Sequence, residues 1–533
     1  MDIPTKRADF DAADMAQWTG MVTRLLKGAP VESLDRIDED GLTTSAFYPV
    51  AGPDAPALPP LLPTMPARRP VDGWRVVQTV PEGMENAEIL DALMSGAGGL
   101  MLATADGDRL ASQLDGVVLP AVAVGFQGAA STISHYQRLC ALAGDGAPEM
   151  AVDLGLDPVR DIAAGLALHA DAPSGHRLFR IDGWHWHNCG LTAAQELGLI
   201  TAGLVAVLRG ADAEGGDAAA IAGRLSARLA LPADIFAGIA ACRAVRRLWD
   251  GVLASCDIDP LPLPVHGYAS LRMMSVLDPD VNMLRMTTAL LGGAIGGADA
   301  MAGFGHDILT GESPEARRTA RLAQVLMSDE SYLAAGLDPC AGSSFIESRT
   351  ESLADAGWQC FQQIETAGGL GVALKSGLIE GWADEAAQAR EARLRAGADE
   401  SLGVTLQPLA GPVPDILSAH AGIRRPAATV EDLRRAATAA PPRLLILRGE
   451  EADADERKLQ AFLAVAGLSA VTLAADDAAT ISAARPDWVI GCGVVGMPAS
   501  LKTDRFMKAA ELLTAPDRIA ALSRLVDGAG GGA

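Results

Sequence analysis

Two histidines stand two residues apart in IDGWHWHNCG, at His185 and His187. On a strand, side chains two apart share a face, so such a pair can hold a metal ion. A catalytic metal usually needs a third protein ligand. The sequence offers no second histidine cluster, no CxxC and no HExxH, so no metal ligands are expected. The competing reading is a strand-end loop whose imidazole and indole rings line a pocket or simply pack. Arg243, Arg246, Arg247 and Arg285 lie on predicted helices. Guanidinium groups bind phosphate or carboxylate bidentately, and Arg243 and Arg247, four apart, share a helix face. In so acidic a chain, helix-surface ion pairs are the alternative. In DPCAGSSFIE, a loop expected to lead into an extended segment, Ser343 and Ser344 can bond backbone groups. No GxSxG elbow surrounds them, and there is no P-loop and no GxGxxG after a strand. Read as chemistry alone, these residues name no reaction.

The elements around them are easier to read. Residues 1–70 form an N-terminal extended arm with one amphipathic helix near Asp11–Leu26 and a proline-dense run, AGPDAPALPPLLPTMPARRP. Such a run forms neither a regular helix nor an inner strand, and it suits contact with another subunit. Over residues 71–400, strand candidates WRVVQTV, GGLMLATA, GVVLPAVAVG, EMAVDLGL, RLFRIDGW, LPVHGYASL and ADAMAGFG alternate with helical stretches. That order predicts an α/β fold whose parallel sheet closes as a (β/α)8 barrel; an open doubly wound sheet is the alternative. Residues 401–440 read as a linker. Residues 441–526 read as a small flavodoxin-like α/β domain, opening with RLLILRGEEADADERKLQAFLAVAG. That opening resembles the front of a cofactor domain, yet its turn holds neither a glycine-rich cradle nor a histidine. No histidine follows His420. Residues 527–533, ending in GAGGGA, are expected to be a disordered tail by composition.

The 533 residues carry 67 acidic and 43 basic side chains, a net charge of −24. Bulk attraction to nucleic acid or to an anionic membrane is excluded on that balance. Seven scattered cysteines predict a reduced, cytoplasmic protein. The acidic N-terminus does not read as a signal peptide, and no apolar run reads as a membrane span.

The longer strings resemble the cobalamin-dependent acyl-CoA mutase family, whose best-known member is methylmalonyl-CoA mutase. IFAGIAACRAVRRLWDGVL is similar to that family's FF-x-E-IAK-x-RA-x-RRLW helix. DPDVNMLRMTTALLGGAIGGADAM is similar to its DP-x-x-N-x-x-R helix, Gly-Gly turn and strand. DESYLAAGLDPCAGSSFIES and CFQQIETAGG follow in the family's order, and the N-terminal W…LLKG…DEDG…YP string fits its arm. The resemblance covers nearly the whole chain. It implies a barrel whose axis takes the pantetheine tail of an acyl-CoA between small hydroxylic residues. It also implies a C-terminal domain that holds adenosylcobalamin against the barrel mouth.

The departures then carry the functional reading. Catalytic members have D-x-H-x-x-G after the first strand of the last domain, and its histidine ligates cobalt. Here the turn is GEEADADERKL, so no cobalt-ligating histidine and no cofactor-binding residue is expected. Catalytic members carry a tyrosine after the first barrel strand, where this chain has PEGMENAEILDALMSGAG. The family's acidic and lysine positions in the RRLW helix have become Gly238 and Ala241, and a polar position has become Leu322. His185 falls where the family's thioester-bonding histidine lies, which makes it the single catalytic candidate. Yet His187–Asn188–Cys189–Gly190 resembles the HNAG string of the family's non-catalytic small subunits. The resemblance therefore implies a non-catalytic small subunit. Its partner would be a larger catalytic subunit that carries both adenosylcobalamin and the acyl-CoA substrate. The alternatives are a barrel that is catalytic with cobalamin from a separate chain, which would need an open bore, and a non-enzymatic acyl-CoA-binding or assembly protein. A metal-dependent hydrolase built on His185 and His187 ranks last.

Overall fold

The computed structural model of the chain describes residues 15–48, 73–104, 106–128, 132–449, 452–474, 480, 485–494 and 505–527. The start of the expected first helix, the proline-dense run and the tail beyond Asp527 lie outside them.

Two short strands open the described chain, β1 (Arg36–Ile37) and β2 (Thr43–Thr44), paired antiparallel after the helix Met15–Leu25. The turn between them is acidic, and it is fastened to the body of the molecule. Glu39 lies 3.2 Å from Arg272 and 2.6 Å from Arg390. Asp38 pairs with Arg349, and Asp40 accepts a hydrogen bond from Ala194 N at 3.1 Å. Burial works against the charge of Glu39, but the two guanidiniums outweigh it and hold its carboxyl below the usual range.

Eight parallel strands then close into a barrel: β3 (Arg75–Val80), β4 (Gly99–Leu102), β5 (Ala123–Phe126), β6 (Val152–Leu156), β7 (Arg177–Asp182), β8 (Leu225–Leu231), β9 (Val265–Ala269) and β10 (Ala300–Ala302). Both faces of each strand are covered, and this is why most read as short continuous apolar runs. β8 is the exception. Its sequence LSARLAL was not among the strand candidates, because Ser226 and Arg228 break the run; both point into the bore.

The longest packed contact outside the barrel joins the helices Ala193–Ala213 and Ser344–Thr366. Ala193–Ala213 has the length and composition of a membrane span, but it is a core helix, buried from Leu197 to Leu204. Ser344–Thr366 corrects an expectation: the residues after DPCAGS form a long helix, not an extended segment. The helices Ile235–Ser255 and Pro279–Gly296 cross closely because glycines face each other. A Cβ on Gly292 would lie 2.9 Å from Ile235 O. Gly292→Ala is therefore expected to cost about 1–3 kcal/mol through forced separation of the two helices. Gly251→Ala, with open space around its Cβ, is the control, and urea melts of both variants check it.

The last sheet is parallel with order β12-β11-β13-β14, from β11 (Leu444–Arg448), β12 (Ala470–Ala474), β13 (Trp488–Cys492) and β14 (Phe506–Lys508). That is the flavodoxin-like order with four strands. Its own core, around Ile446, Leu459, Leu463, Ile490 and Leu522, includes Val430 and Leu433 of the helix Ala427–Ala439. A buried pair, Arg425 and Glu431 at 2.7 Å, bonds Ser275 Oγ and Val276 N beyond β9 and so ties this domain to the barrel.

Candidate functional site

The carboxyl ends of β3, β4, β5, β7, β9 and β10 surround a cavity of about 700 Å³. This is the face on which barrel enzymes place their active sites. Thr79, Gln127, Trp184, His185, Asn188, Cys189 and Phe304 line it from the barrel, and Leu417, His420 and Ile423 cover it.

His185 does reach this cavity, but from a helix. Asp182 caps Gly183–Cys189 by accepting His185 N at 3.2 Å, and Gly190, at φ +133°, ends it. Residues two apart on a helix are about 200° apart around its axis. His185 therefore faces the cavity while His187 faces the core, and the two cannot share a metal. Among the described residues no group of three His, Cys, Asp or Glu side chains converges as a metal site. His185 contacts Cys189, Nε2 to Sγ at 3.7 Å, and the Trp186 ring edge-on at 5.5 Å. Burial pushes the Cys189 thiol up, so it is protonated at neutral pH and a poor nucleophile.

His187 sits between Glu196 and Ser270, with Nδ1 3.0 Å from Glu196 Oε2 and Nε2 3.0 Å from Ser270 Oγ. The order acid, imidazole, hydroxyl copies a nucleophile triad. Its chemistry is the opposite. Burial pushes the Glu196 carboxyl up to about 8 and drives His187 well below the usual histidine range, so the pair is neutral. All three side chains are sealed in the core. Asn188 is structural as well, accepting Leu271 N at 3.0 Å and Arg272 N at 2.9 Å and donating to Trp184 O.

Beneath the cavity the bore is filled. Trp184 donates Nε1–H to Ala269 O at 2.9 Å and packs its ring against Tyr268 and Phe304. Arg228 lies 5.3 Å from the Trp184 ring and 5.0 Å from that of Tyr268, and is paired with Asp182. One layer lower, Asp153 takes Arg180 and His266, each at 3.2 Å, and Ser226 Oγ at 3.1 Å. Burial opposes the charge on Asp153 and on Asp182, but their arginines prevail and keep both carboxyls low. The plug is not visible in the sequence, because its members come from β6, β7, β8 and β9 and meet only when the barrel closes.

The arginine candidates are all engaged within the chain, Arg243 and Arg246 buried and Arg247 and Arg285 half-buried. Arg243 spans Asp338, Glu347 and Thr350; Arg246 holds Asp299 at 2.8 Å and Gly297 O at 2.7 Å. Arg247 pairs with Glu351 at 3.1 Å, and Arg285 reaches Asn282, Ser401 and Leu402 O. DPCAGSSFIE supplies both carboxylates that grip Arg243, while Ser343 makes no side-chain cap for the helix that follows it. The residues Gly238 and Ala241 are buried or closely packed, and Leu322 is half-buried.

In the last domain the sheet order reverses between β11 and β13, where ligands of such folds bind. There the described backbone after the two strands runs close together. Gly449 N donates to Cys492 O at 2.9 Å, and a Cβ on Gly449 would lie 2.7 Å from Gly493 O. With no imidazole after His420, the residues present do not fit a cobalt-ligated corrin.

Residues 158–420 match the profile of the methylmalonyl-CoA mutase family. The probable methylmalonyl-CoA mutase small subunit of Mycobacterium tuberculosis is 32% identical over 560 residues, which cover 92% of this chain and 89% of that one. The chain belongs to the methylmalonyl-CoA mutase family. The methylmalonyl-CoA mutase small subunit of Streptomyces virginiae is 34% identical over 70% of this chain and 67% of that one. The small subunit of Propionibacterium freudenreichii subsp. shermanii is 28% identical over 69% and 64%. The mutase family is an isomerase family that generally depends on adenosylcobalamin. The strings most similar to it are thus seen to be its scaffold: they hold Arg243, Arg246, Arg285 and the glycine crossing, and none of them brings a reactive group to the mouth.

Proposed function

We propose that this chain is the non-catalytic, structural subunit of a heterodimeric methylmalonyl-CoA mutase. The complex isomerises (R)-methylmalonyl-CoA and succinyl-CoA in propionate metabolism. The larger subunit carries adenosylcobalamin and the acyl-CoA. Residence in the cytoplasm is part of this reading, which the free thiol state of all seven cysteines supports. One observation carries the proposal: the bore through which an acyl-CoA tail would pass is occupied by two arginine–carboxylate pairs under Trp184 and Tyr268. The same filling speaks against a barrel that is catalytic with cobalamin from a separate chain.

A tagged pull-down from native cytosol is expected to return equal amounts of a longer mutase-like chain bearing D-x-H-x-x-G. Recovery alone or as a homodimer overturns the reading. A catalytic imidazole contributes on the order of 10²- to 10⁴-fold, so His185→Gln is expected to leave kcat of the complex within about twofold. A hundredfold-class loss would make His185 catalytic and remove the proposal.

A further inference from the structure

The mouth cavity has no route into the bore, because Trp184 and the arginine–carboxylate layers form its floor. Above that floor about 700 Å³ stays open, within the span of small-molecule sites, about 300–1,000 Å³. Most of its wall is apolar, from Pro81, Ala103, Leu271, Phe304, Ile308 and Leu417.

The charges of the wall cancel. Glu312 and Arg317 are the carboxylate and the guanidinium of the lining, and they lie 3.4 Å apart. Glu312 also accepts Gly305 N at 2.6 Å, and Arg317 also reaches Glu88 at 3.3 Å. Burial lowers the pKa of His420 in the cover, so that ring is neutral at pH 7. No carboxylate or guanidinium of the lining is left over for a phosphate, a carboxylate or an ammonium group. Burying such a group without a partner is costly, so the space suits an uncharged occupant.

Two uncharged donors stand side by side on one wall. Thr79 is in β3, Ala103 directly follows β4 and Gln127 directly follows β5. These are neighbouring strands, and the ladder continues to their ends: Ala103 N donates to Val80 O at 3.0 Å and Gln127 N to Leu102 O at 2.9 Å. Thr79 and Gln127 are thus two strand spacings apart, about 10 Å, with only the methyl of Ala103 between them. The Thr79 hydroxyl makes no hydrogen bond to a described residue. Gln127 turns its carbonyl oxygen to Arg228 Nη1 at 3.3 Å, which leaves its amide N–H groups without a described partner. Both free groups can donate to an oxygen in the cavity.

We propose that the mouth cavity binds an uncharged, mainly apolar carbonyl compound, a ketone, ester or quinone, with its oxygen on the Thr79–Gln127 wall over Ala103. A ligand of this kind buries apolar surface against the wall and leaves no charge unpaired.

The full-length chain, with whatever subunit co-purifies with it, is dialysed to equilibrium against prodan, an uncharged naphthyl ketone, with and without acetyl-CoA. Wild type is expected to hold one equivalent more than Ala103→Phe, whose ring fills the space between the two donors. The difference cancels sites on another subunit. Thr79→Val, which removes only the hydroxyl, is expected to weaken that equivalent by about three- to tenfold. Prodan is also expected to shield Cys189, in the lining, from N-ethylmaleimide while the exposed Cys256 stays reactive, as read by peptide mass spectrometry. Equal binding by wild type and Ala103→Phe overturns the proposal. Displacement of the extra equivalent by acetyl-CoA also overturns it, because a highly charged ligand would then fit. If Ala103→Phe does not fold, the other two readouts decide: an unshielded Cys189, or an unchanged affinity in Thr79→Val, overturns it equally. Because the chain is tested with or without a partner, failure here leaves the subunit reading to its own pull-down.

Discussion

Arg243→Ala is expected to destabilise the protein by about 3–5 kcal/mol, the range for removing one partner of a buried ion network. Arg243 is 2% exposed, in the middle of the helix Ile235–Ser255. Its guanidinium joins three chain segments that are distant in sequence: its own helix, the loop at Asp338, and the first two turns of Ser344–Thr366 through Glu347 and Thr350. Truncation leaves two carboxylates, 9% and 12% exposed, without a counter-charge. Arg247→Ala is the control one turn along the same helix. Its pair with Glu351 is 26% and 32% exposed, and such pairs contribute about 0–1 kcal/mol. Urea melts at one pH compare the two. A loss below about 1 kcal/mol for Arg243→Ala would place the site in the solvated class. The DPCAGS loop would then need another explanation for its conformation.

What could be read in the sequence follows from how local each signal is. Seven barrel strands are legible because burial on both faces makes each an apolar run bounded by turns. β8 escapes because Arg228 and Ser226 look like surface residues until Asp182 and Asp153 are seen across the bore. The segment around His185 alternates aromatic and polar residues as a strand would. The helix signals were nevertheless present, in Asp182 as cap and Gly190 as stop. The missing imidazole after β11 is legible because a strand and the turn after it are neighbours in sequence. The plug is not, since its pairs join residues 27, 46 and 113 or so apart in a closed sheet. Absence of a catalytic group was thus readable, while the groups that took up its space were not.

The second large effect is on pH. Glu196 titrates near 8 in the folded protein, first because burial disfavours its charge, and near 4.5 when unfolded. The folded state therefore holds a proton that the unfolded state has lost, and stability must fall as pH rises between those values. His187 works the other way: folded, it refuses the proton that the unfolded chain accepts below 6.5, so its contribution falls as pH drops below that value. Between about pH 4.5 and 6.5 the two slopes, each near 1.4 kcal/mol per unit, oppose one another. Above 6.5 only Glu196 is left, and stability is expected to fall by roughly 1–2 kcal/mol by pH 8. Asp40, pushed up to about 6 by burial, has finished most of its titration by then. The difference between wild type and Glu196→Gln in urea melts from pH 5 to 8.5 isolates the effect. The variant should lose the alkaline fall and show the acid-side slope of His187 uncovered. Parallel curves would mean instead that Glu196 is ionised and His187 protonated, a charged triad beside the mouth cavity. The neutral, purely structural account of Ser270, His187 and Glu196 would then give way to one in which the imidazole is available for chemistry.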